Sequence, residues 1–411
     1  MNIIYIVHQT HLNELSGVPL IAKQYADNAI KANHNVAMIS PYSGRIDSNL
    51  NEFKKDNILF YNWPSLDNWY QNAFNYPIKT EEIKKYKINF KPDIIHILDW
   101  VGIRPDFLNF LNDFKVPILK HVLNLEDICL FDSSSPFDPE DSLINNHYHN
   151  ERKISGKIAR FFWFNLKYDI KNYYEKLEAR KKSIIHINKT YFDHLIFPTS
   201  SFAKFYLSHL NLKTNFDVLG LGVVKNQLSL NKKNNDRKRL NFIFIGGGSQ
   251  RKGWDIIEKS FYEFLIKNND KINLRIYGFK KKTSKSCLNK FKSVEFFDSF
   301  NPSNLHNILS WADFGLTTSY FESYCKVLYE YIDAKVIPIT TKFFGSEIIK
   351  NDYNGIVINK PYDKNLMKTL KNIVNNPKVI ERYIENVKKT KVLYDNEEFD
   401  KILNIYQKLC K

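Results

Sequence analysis

The feature that most constrains the fold is an alternation of short apolar segments with helical segments that occurs twice along the chain. In the first half, apolar runs of strand length occupy residues 2–7, 36–40, 93–98 and 116–122, and each gap is long enough for a crossover helix. Residues 17–33, after the first run, have apolar positions at helical spacing. Such an alternation is typical of a parallel, doubly wound sheet.

The same alternation begins again near residue 241. A run at 241–245 leads through a glycine-rich segment into a helical stretch at 256–267, and four further runs of strand length follow. These runs lie at residues 273–277, 293–297, 313–317 and 336–340. Residues 225–239, between the two halves, are polar, basic and nearly free of apolar side chains, which is typical of a linker or an exposed loop.

The sequence therefore predicts an α/β protein with two Rossmann-like, doubly wound domains that face each other across a cleft. The N-terminal domain is expected to span residues 1–219 and the C-terminal domain residues 220–385. From residue 377 to the end, apolar positions recur at helical spacing, which predicts one long helix or two consecutive helices. We expect residues 386–411 to pack back toward the N-terminal domain.

The composition fits a folded protein and excludes several classes. Of the 411 residues, 43% are hydrophobic and 25% charged, which argues against global disorder. The net charge of +16 favours polyanionic partners such as nucleic acid, anionic lipid or phosphorylated metabolites, without choosing among them. The 4 cysteines form neither a CxxC motif nor a metal-finger spacing, which fits a reducing compartment. No leader pattern and no spanning stretch is present, so we expect a cytoplasmic location and leave peripheral contact with the inner membrane face open.

The most informative segment for function is SYFESYCKVLYE at residues 319–330, because it carries two acids, Glu322 and Glu330. The segment follows a predicted strand and opens a predicted helix, so the two carboxylates are expected about 12 Å apart with a helix N-terminus between them. Carboxylates accept hydrogen bonds from hydroxyls, and N–H groups at a helix start favour a diphosphate. The spacing therefore suits a nucleotide sugar, whereas the alternative is a pair of acids that share a surface helix by chance.

A second candidate is the segment GGGSQRKG at residues 246–253, between a strand and a helix. Glycines let the backbone approach a ligand closely, and Arg251 with Lys252 can neutralise a diphosphate. The segment matches neither the Walker A pattern nor GxGxxG followed by a well-placed acid. Its alternative interpretation is a tight connection whose basic pair is merely solvated.

Two residues of the N-terminal half complete the set of candidates. Gly17 lies at the first loop-to-helix junction, where it gives a phosphate or sugar close access; the alternative is an ordinary helix start. His121 ends a predicted strand, a common position for functional residues in doubly wound sheets. It can orient a hydroxyl or stabilise developing charge, or it can be a structural histidine bonded to a backbone carbonyl.

Taken together, these motifs resemble the retaining family 4 glycosyltransferases, which belong to the group 1 glycosyltransferases and have the GT-B fold. In chain order, the resemblance rests on Gly17, His121, FPTSSF at 197–202, RKG at 251–253, Glu322 and Glu330, and GSE at 345–347. It spans nearly the whole chain, and residues 242–357 are its specific part.

The resemblance implies transfer of a sugar from a nucleotide sugar, with retention at the anomeric carbon, without a cofactor and without a metal bound by a DxD motif. The sequence contains no Asp-x-Asp, which agrees. By position, Glu330 would hold the ribose and Lys252 the diphosphate, while Gly17 allows near approach of the N-terminal loop. Glu322, at the hydroxyls of the transferred sugar, and His121, beside that sugar, are the implied catalytic residues.

Two positions depart from the family pattern. Gly247 stands where the family commonly has an arginine, so we expect Arg251 to substitute in binding the diphosphate. Cys325 replaces a glycine whose backbone N–H contacts the donor, and Lys326 follows it at the expected helix start. Gly247, Arg251, Cys325 and Lys326 are therefore counted among the predicted donor-binding residues.

The implied partners are a nucleotide sugar, with UDP and GDP undecided, and a glycan, lipid-linked or protein acceptor in surface polysaccharide or glycoconjugate assembly. Residues 153–182 combine aromatic and basic side chains, which is typical either of a stretch that lies on an anionic membrane or of a helix that packs on a core. No nucleic-acid-binding signature is present, so no nucleic-acid partner is expected. The alternatives are a nucleotide-sugar epimerase of GT-B fold and a non-catalytic basic protein that binds nucleotide or RNA.

Overall fold

A computed structural model describes the chain over residues 1–7, 17–40, 52–62, 88–99, 105–123, 182, 185–225, 239–248, 252–279, 286–358, 363–376 and 378–411. These residues form two compact units. Unit 1 comprises the described residues within 1–220 together with Asp395–Lys411, and unit 2 comprises those within Leu221–Tyr394.

The described strands are numbered in chain order. In unit 1 they are β1 (Asn2–Ile6), β2 (Asn35–Ser40), β3 (Glu52–Lys55), β4 (Ile58–Asn62), β5 (Ile94–Ile97), β6 (Ile118–His121), β7 (His194–Phe197) and β8 (Phe216–Val218). In unit 2 they are β9 (Leu240–Ile245), β10 (Ile272–Tyr277), β11 (Val294–Phe297), β12 (Phe314–Thr317), β13 (Ile337–Thr341) and β14 (Ile356–Ile358).

The described α-helices are likewise numbered along the chain. They are α1 (Val18–Lys31), α2 (Pro105–Asn112), α3 (Ser200–His209), α4 (Trp254–Asn268), α5 (Leu305–Ser310), α6 (Lys326–Asp333), α7 (Asp363–Asn375), α8 (Lys378–Lys389) and α9 (Asp395–Leu409). None of these helices is long and apolar enough to cross a bilayer. The basic aromatic segment 153–182 lies outside the described residues except for Lys182.

Each unit contains one sheet, and the predicted doubly wound topology is confirmed. In unit 1 the order is β3-β4-β2-β1-β5-β6-β7-β8, with every neighbouring pair parallel except β3 and β4. In unit 2 the order is β11-β10-β9-β12-β13-β14, and all pairs are parallel. The strand order of unit 2 reverses between β9 and β12, and such a switch point is where doubly wound sheets bind ligands.

Buried aromatic side chains hold the central strands of unit 2 beneath α4. Phe242 of β9 stacks on Phe314 of β12 with ring centroids 5.0 Å apart, and it meets Phe261 of α4 edge-on at 5.7 Å. All three rings are fully buried. Because β9 and β12 are packed together in this way, the loops that follow them begin side by side.

The helix α9 belongs to unit 1 and is attached to it by buried polar contacts. The Tyr25 hydroxyl of α1 donates a hydrogen bond to Glu398, whose side chain is 2% exposed. Tyr406 bonds through its hydroxyl to His96 Nδ1 at 2.7 Å and donates to the Tyr5 hydroxyl at 3.5 Å. These pairs satisfy polar groups that would otherwise be costly to bury.

The chain passes between the units after Gly220 and again before Asp395. From the sequence we expected these passages at 219/220 and 385/386. Helix α8 runs through position 386 and buries Tyr383 and Val387 within unit 2. The final helical stretch is two consecutive helices, α8 and α9, which was one of the two predicted possibilities.

We predict that Glu398→Ala destabilises unit 1. The substitution leaves the buried Tyr25 hydroxyl without its acceptor, which costs about 1–3 kcal/mol in the free energy of unfolding. Urea titration followed by circular dichroism measures the change. Glu397→Ala, which removes an exposed acid from the same turn of α9, is the matched control. Equal stability of the two variants would contradict the assignment.

Candidate functional site

The loops that follow β9 and β12 meet at the switch point of unit 2. The Thr318 hydroxyl donates to the carbonyl oxygens of Lys252, at 3.3 Å, and Gly253, at 3.1 Å. Gly253 caps the start of α4 with φ +72°, and a Cβ atom there would lie 2.0 Å from the Thr318 oxygen. Only glycine allows both this left-handed backbone and this approach.

The predicted residues Lys252 and Glu322 are brought together in this place. Lys252 Nζ lies 2.5 Å from Glu322 Oε1, and the Glu322 side chain is nearly buried, with 8% of the residue exposed. The Ser319 hydroxyl donates to the same carboxylate oxygen at 3.0 Å. Thr341 in turn donates to the Ser319 carbonyl at 2.5 Å. Glu322 is therefore held by a cation and a hydroxyl, both of which stabilise its charged form.

Cys325 lies between the two acids as the cap of α6. Its backbone is left-handed, with φ +69° and ψ +71°, a conformation that glycine adopts more readily than cysteine. Burial raises the pKa of its thiol to about 12, and the nearby Glu322 carboxylate adds to the effect. The thiol therefore stays protonated at neutral pH and is not a nucleophile.

Glu330 lies within α6, four residues after Lys326 and therefore on the same helix face. Burial raises the pKa of its carboxyl above the ordinary glutamate value, Lys326 opposes the shift, and Asp333 adds to it. The helix N-terminus falls between Glu322 and Glu330, as the sequence predicts. Because α6 begins only at Lys326, the first part of the interval between the acids is a loop.

The predicted glycine Gly247 packs against the loop after β10. It has φ +62°, its N–H donates to the Tyr277 carbonyl at 3.1 Å, and a Cβ atom would lie 2.8 Å from the Gly278 oxygen. Its N–H is thus used within the protein, and the missing Cβ allows the close approach of the Gly278 backbone. Arg251, predicted to assist Lys252, lies outside the described residues.

His121 is at the C-terminal end of β6 in unit 1, with 1% of the residue exposed. Its ring stacks on His96 at 5.7 Å and on Tyr25 at 6.2 Å, and neither ring nitrogen has a hydrogen-bond partner among the described residues. Within the described part of the chain, the ring therefore lacks the backbone-carbonyl bond of the structural alternative. Burial lowers the pKa of His121 to about 3, so the ring is neutral and can orient a hydroxyl but supplies no positive charge.

Gly17, the other predicted residue of unit 1, caps α1 with φ +62°, and a Cβ atom at this position would touch none of the described residues within 4 Å. The backbone conformation, not crowding, thus favours glycine here.

The sequence reasoning missed Thr318 and Ser319, which lock the loop that carries Glu322. The available signal was a pair of hydroxyl residues directly after a buried strand. Within the described residues, no group of three His, Cys, Asp or Glu side chains is arranged to hold a metal ion.

Residues 226–390 match the family model described as glycosyl transferases group 1. No curated protein sequence matches the chain significantly.

Among solved structures, the chain is similar to sucrose-phosphate synthase from Thermosynechococcus elongatus, with TM-score 0.67, 13% identity and coverage of 99% of this chain and 98% of that one. It is similar to WaaG, a glycosyltransferase involved in lipopolysaccharide biosynthesis, with TM-score 0.66, 14% identity and coverage of 98% and 99%. It also resembles Anabaena HepE in complex with UDP-glucose, with TM-score 0.64, 10% identity and 100% coverage of both chains. At these identities the likeness establishes the fold, which is GT-B.

We predict that Lys252 and Glu322 are energetically coupled. Lys252→Ala leaves the nearly buried Glu322 carboxylate without its cation and should destabilise the protein, whereas adding Glu322→Ala should recover part of the loss. A double-mutant cycle by urea unfolding is expected to give a coupling free energy of about 1–2 kcal/mol. Strict additivity of the two substitutions would show that the ion pair does not form in solution.

Proposed function

We propose that the chain is a retaining, metal-independent glycosyltransferase that moves a sugar from a nucleoside diphosphate sugar to an acceptor hydroxyl. The match of residues 226–390 to the family model described as glycosyl transferases group 1 supports this proposal. The observation that carries this proposal is the meeting of Lys252 with Glu322 at the switch point of unit 2, with Glu330 beyond the start of the adjoining helix. The arrangement offers a cation for a diphosphate and an acid on either side of it.

In the proposed complex, each part of the donor has a matching group in unit 2. Lys252 and the N-terminus of α6 bind the diphosphate, since both favour negative charge. Glu330 accepts hydrogen bonds from the ribose hydroxyls, and Glu322 accepts them from the hydroxyls of the transferred sugar. Gly247 and Cys325 allow the backbone to come close, and Lys326 adds positive charge at the helix start.

The chemical step then depends mainly on electrostatic stabilisation. The acceptor oxygen forms its bond to the anomeric carbon on the face from which the diphosphate departs, and the acceptor proton passes to the departing phosphate oxygen. Charge grows on the diphosphate as its bond to the sugar breaks, and Lys252 with the N-terminus of α6 stabilises that charge.

The ring nitrogens of His121, which have no hydrogen-bond partner among the described residues, support a contact between this side chain and a substrate hydroxyl. A buried polar atom without a hydrogen bond carries a cost of about 1–3 kcal/mol. A sugar hydroxyl that reaches the neutral ring would remove this cost, which makes His121 the proposed orienting residue. Gly17 is proposed to give the substrate close access to the start of α1.

The choice of donor to test first comes from the structural neighbours. HepE was solved in complex with UDP-glucose, so a UDP-sugar is the first donor to try, followed by GDP-sugars. WaaG is described as acting in lipopolysaccharide biosynthesis, which supports an acceptor in surface polysaccharide or glycoconjugate assembly, whether glycan, lipid-linked or protein. Location in the cytoplasm and contact with the inner membrane face remain proposals, and nucleic acid is not among the proposed partners.

The deciding experiment is a thermal-shift panel of UDP, GDP, ADP and their sugars, because only a nucleotide that binds the folded protein raises the melting temperature. With the stabilising donor, NMR of the product should show the anomeric configuration of the donor retained, and EDTA should leave the rate unchanged. A product that is an isomer of the donor would instead identify an epimerase. Stabilisation by RNA and by no nucleotide would support the non-catalytic alternative.

We predict that Glu330→Ala weakens binding of UDP-glucose by about tenfold, which corresponds to ~1.4 kcal/mol. Isothermal calorimetry measures the change. Glu385→Ala, which removes an exposed acid of α8, is the control.

Lys252→Ala should weaken binding of the diphosphate in the same way, with Lys267→Ala on the exposed face of α4 as its control. Unchanged affinity in both site variants would refute the assignment of the donor site.

We also predict that the affinity for UDP-glucose falls as the pH is lowered from neutrality. The fall should begin at a higher pH than it would if Glu330 had the ordinary pKa of a glutamate. The raised pKa of Glu330 means that its carboxylate becomes protonated early and then offers fewer acceptor sites to the ribose. UDP-glucose suits this test because its phosphodiester oxygens do not titrate in that range. Glu330→Gln should bind more weakly but with no such fall, and an equal fall in both proteins would contradict the prediction.

A further inference from the structure

The segment that carries both proposed acids, residues 322–333, is attached to both passages of the chain between the units. We name it the acid segment; it contains the Glu322 loop and helix α6. The chain enters unit 2 at Leu221 and leaves it after Tyr394. One side-chain hydrogen bond joins Leu221 to the N-terminal end of the acid segment, and another joins Tyr394 to its C-terminal end.

At its N-terminal end, the attachment is made by Tyr324. The Tyr324 hydroxyl donates to the carbonyl oxygen of Leu221 at 2.9 Å, and only 4% of the tyrosine is exposed. Its ring stacks on Tyr329 of α6 with centroids 4.2 Å apart and an interplanar angle of 11°. A buried hydrogen bond and a stacked ring together fix the direction of this side chain.

The backbone of Tyr324 is fixed as well. Gly345 lies so close that a Cβ atom there would be 1.5 Å from the Tyr324 carbonyl oxygen. The Tyr329 hydroxyl donates to the Gly345 carbonyl at 3.3 Å, which closes the cluster. Tyr324 lies two residues after Glu322 and directly before the cap residue Cys325, so holding Tyr324 holds both features of the proposed donor site.

At its C-terminal end, the acid segment is attached by Asp333. The Tyr394 hydroxyl donates to Asp333 Oδ1 at 3.0 Å. The two passages are also joined to each other, because the Val223 N–H donates to the Leu393 carbonyl at 2.9 Å and Val223 pairs with Tyr394 in a β-bridge. The proposed donor site and both passages therefore form one continuous hydrogen-bonded cluster within unit 2.

From these contacts we propose that Tyr324 is a positioning residue for the transfer. By bonding to Leu221, it holds Glu322 where the sugar of the donor binds. It thereby links binding of the sugar to the two chain passages, which are joined at Val223 and Tyr394. This inference rests on the proposed function. Tyr324 touches no substrate in this scheme and acts through Glu322. Its loss should therefore affect recognition of the sugar more than recognition of the nucleotide.

The test compares Tyr324→Phe with Tyr320→Phe. Both remove one hydroxyl from the same loop, but the Tyr320 hydroxyl donates to Asp255 on the exposed surface. Calorimetry compares the affinity for UDP-glucose with that for UDP, and the affinity for GDP-mannose with that for GDP. Each difference is the gain in affinity that the sugar contributes. Tyr324→Phe should reduce that gain by about fivefold or more and leave the affinity for the free nucleotide unchanged. Tyr320→Phe should match the wild-type protein in both.

Hydrogen exchange provides a second measurement, and its first comparison, with and without donor, uses only the wild-type protein. In the wild-type protein, saturating UDP-glucose should slow exchange of the Val223 amide, and Tyr324→Phe should abolish this protection. A Tyr324→Phe protein that matches Tyr320→Phe in the calorimetry, or a Val223 amide unaffected by bound donor, overturns the inference and leaves the proposed function intact. If the wild-type protein binds none of these nucleotides or nucleotide sugars, the proposed function fails and the inference fails with it.

Discussion

The arrangement of the candidate site depends on one close backbone contact, between Gly253 at the start of α4 and the carbonyl of Thr318 after β12. The contact brings the loops of the two central strands within hydrogen-bonding distance and so allows Lys252 to reach Glu322. Any side chain at position 253 would force the loops apart. The parallel sheet supplies the neighbouring strand ends, and the glycine supplies the final approach.

Much of the fold was predictable because its central strands are short apolar runs separated by helical segments, as β9 and β12 illustrate. The hairpin of β3 and β4 was missed, although Asp56 and Asn57 both have positive φ and form the kind of two-residue turn that such residues favour. The strands β7, β8 and β14 have three or four residues each, too few for their periodicity to stand out from a buried helix segment.

The candidate site was predictable only in part, for a physical reason. The residue types at Glu322, Glu330 and Lys252 suit a phosphorylated ligand that carries hydroxyls, and each of the two segments that contain them, 246–253 and 319–330, is a local pattern in the sequence. The residues that position the Glu322 loop are distant in sequence. Thr341 and Leu221 contact this loop only in the folded chain, so no sequence pattern marks them. His121 illustrates the same limit, since its strand-end position was visible in the sequence but its burial beside His96 was not.

The ion pair between Lys252 and Glu322 gives the proposed mechanism a simple electrostatic logic. Without a ligand, the nearly buried carboxylate is stabilised by the lysine and by Ser319, so its charge is compensated. In the proposed complex, the diphosphate of the donor takes the place of the carboxylate as the anion beside the ammonium group of Lys252. Glu322 then accepts hydrogen bonds from the sugar hydroxyls, while the Ser319 hydroxyl still donates to its carboxylate. Two groups that would be costly to leave unpaired thus exchange partners, and the nucleotide and sugar ends of the donor are recognised together.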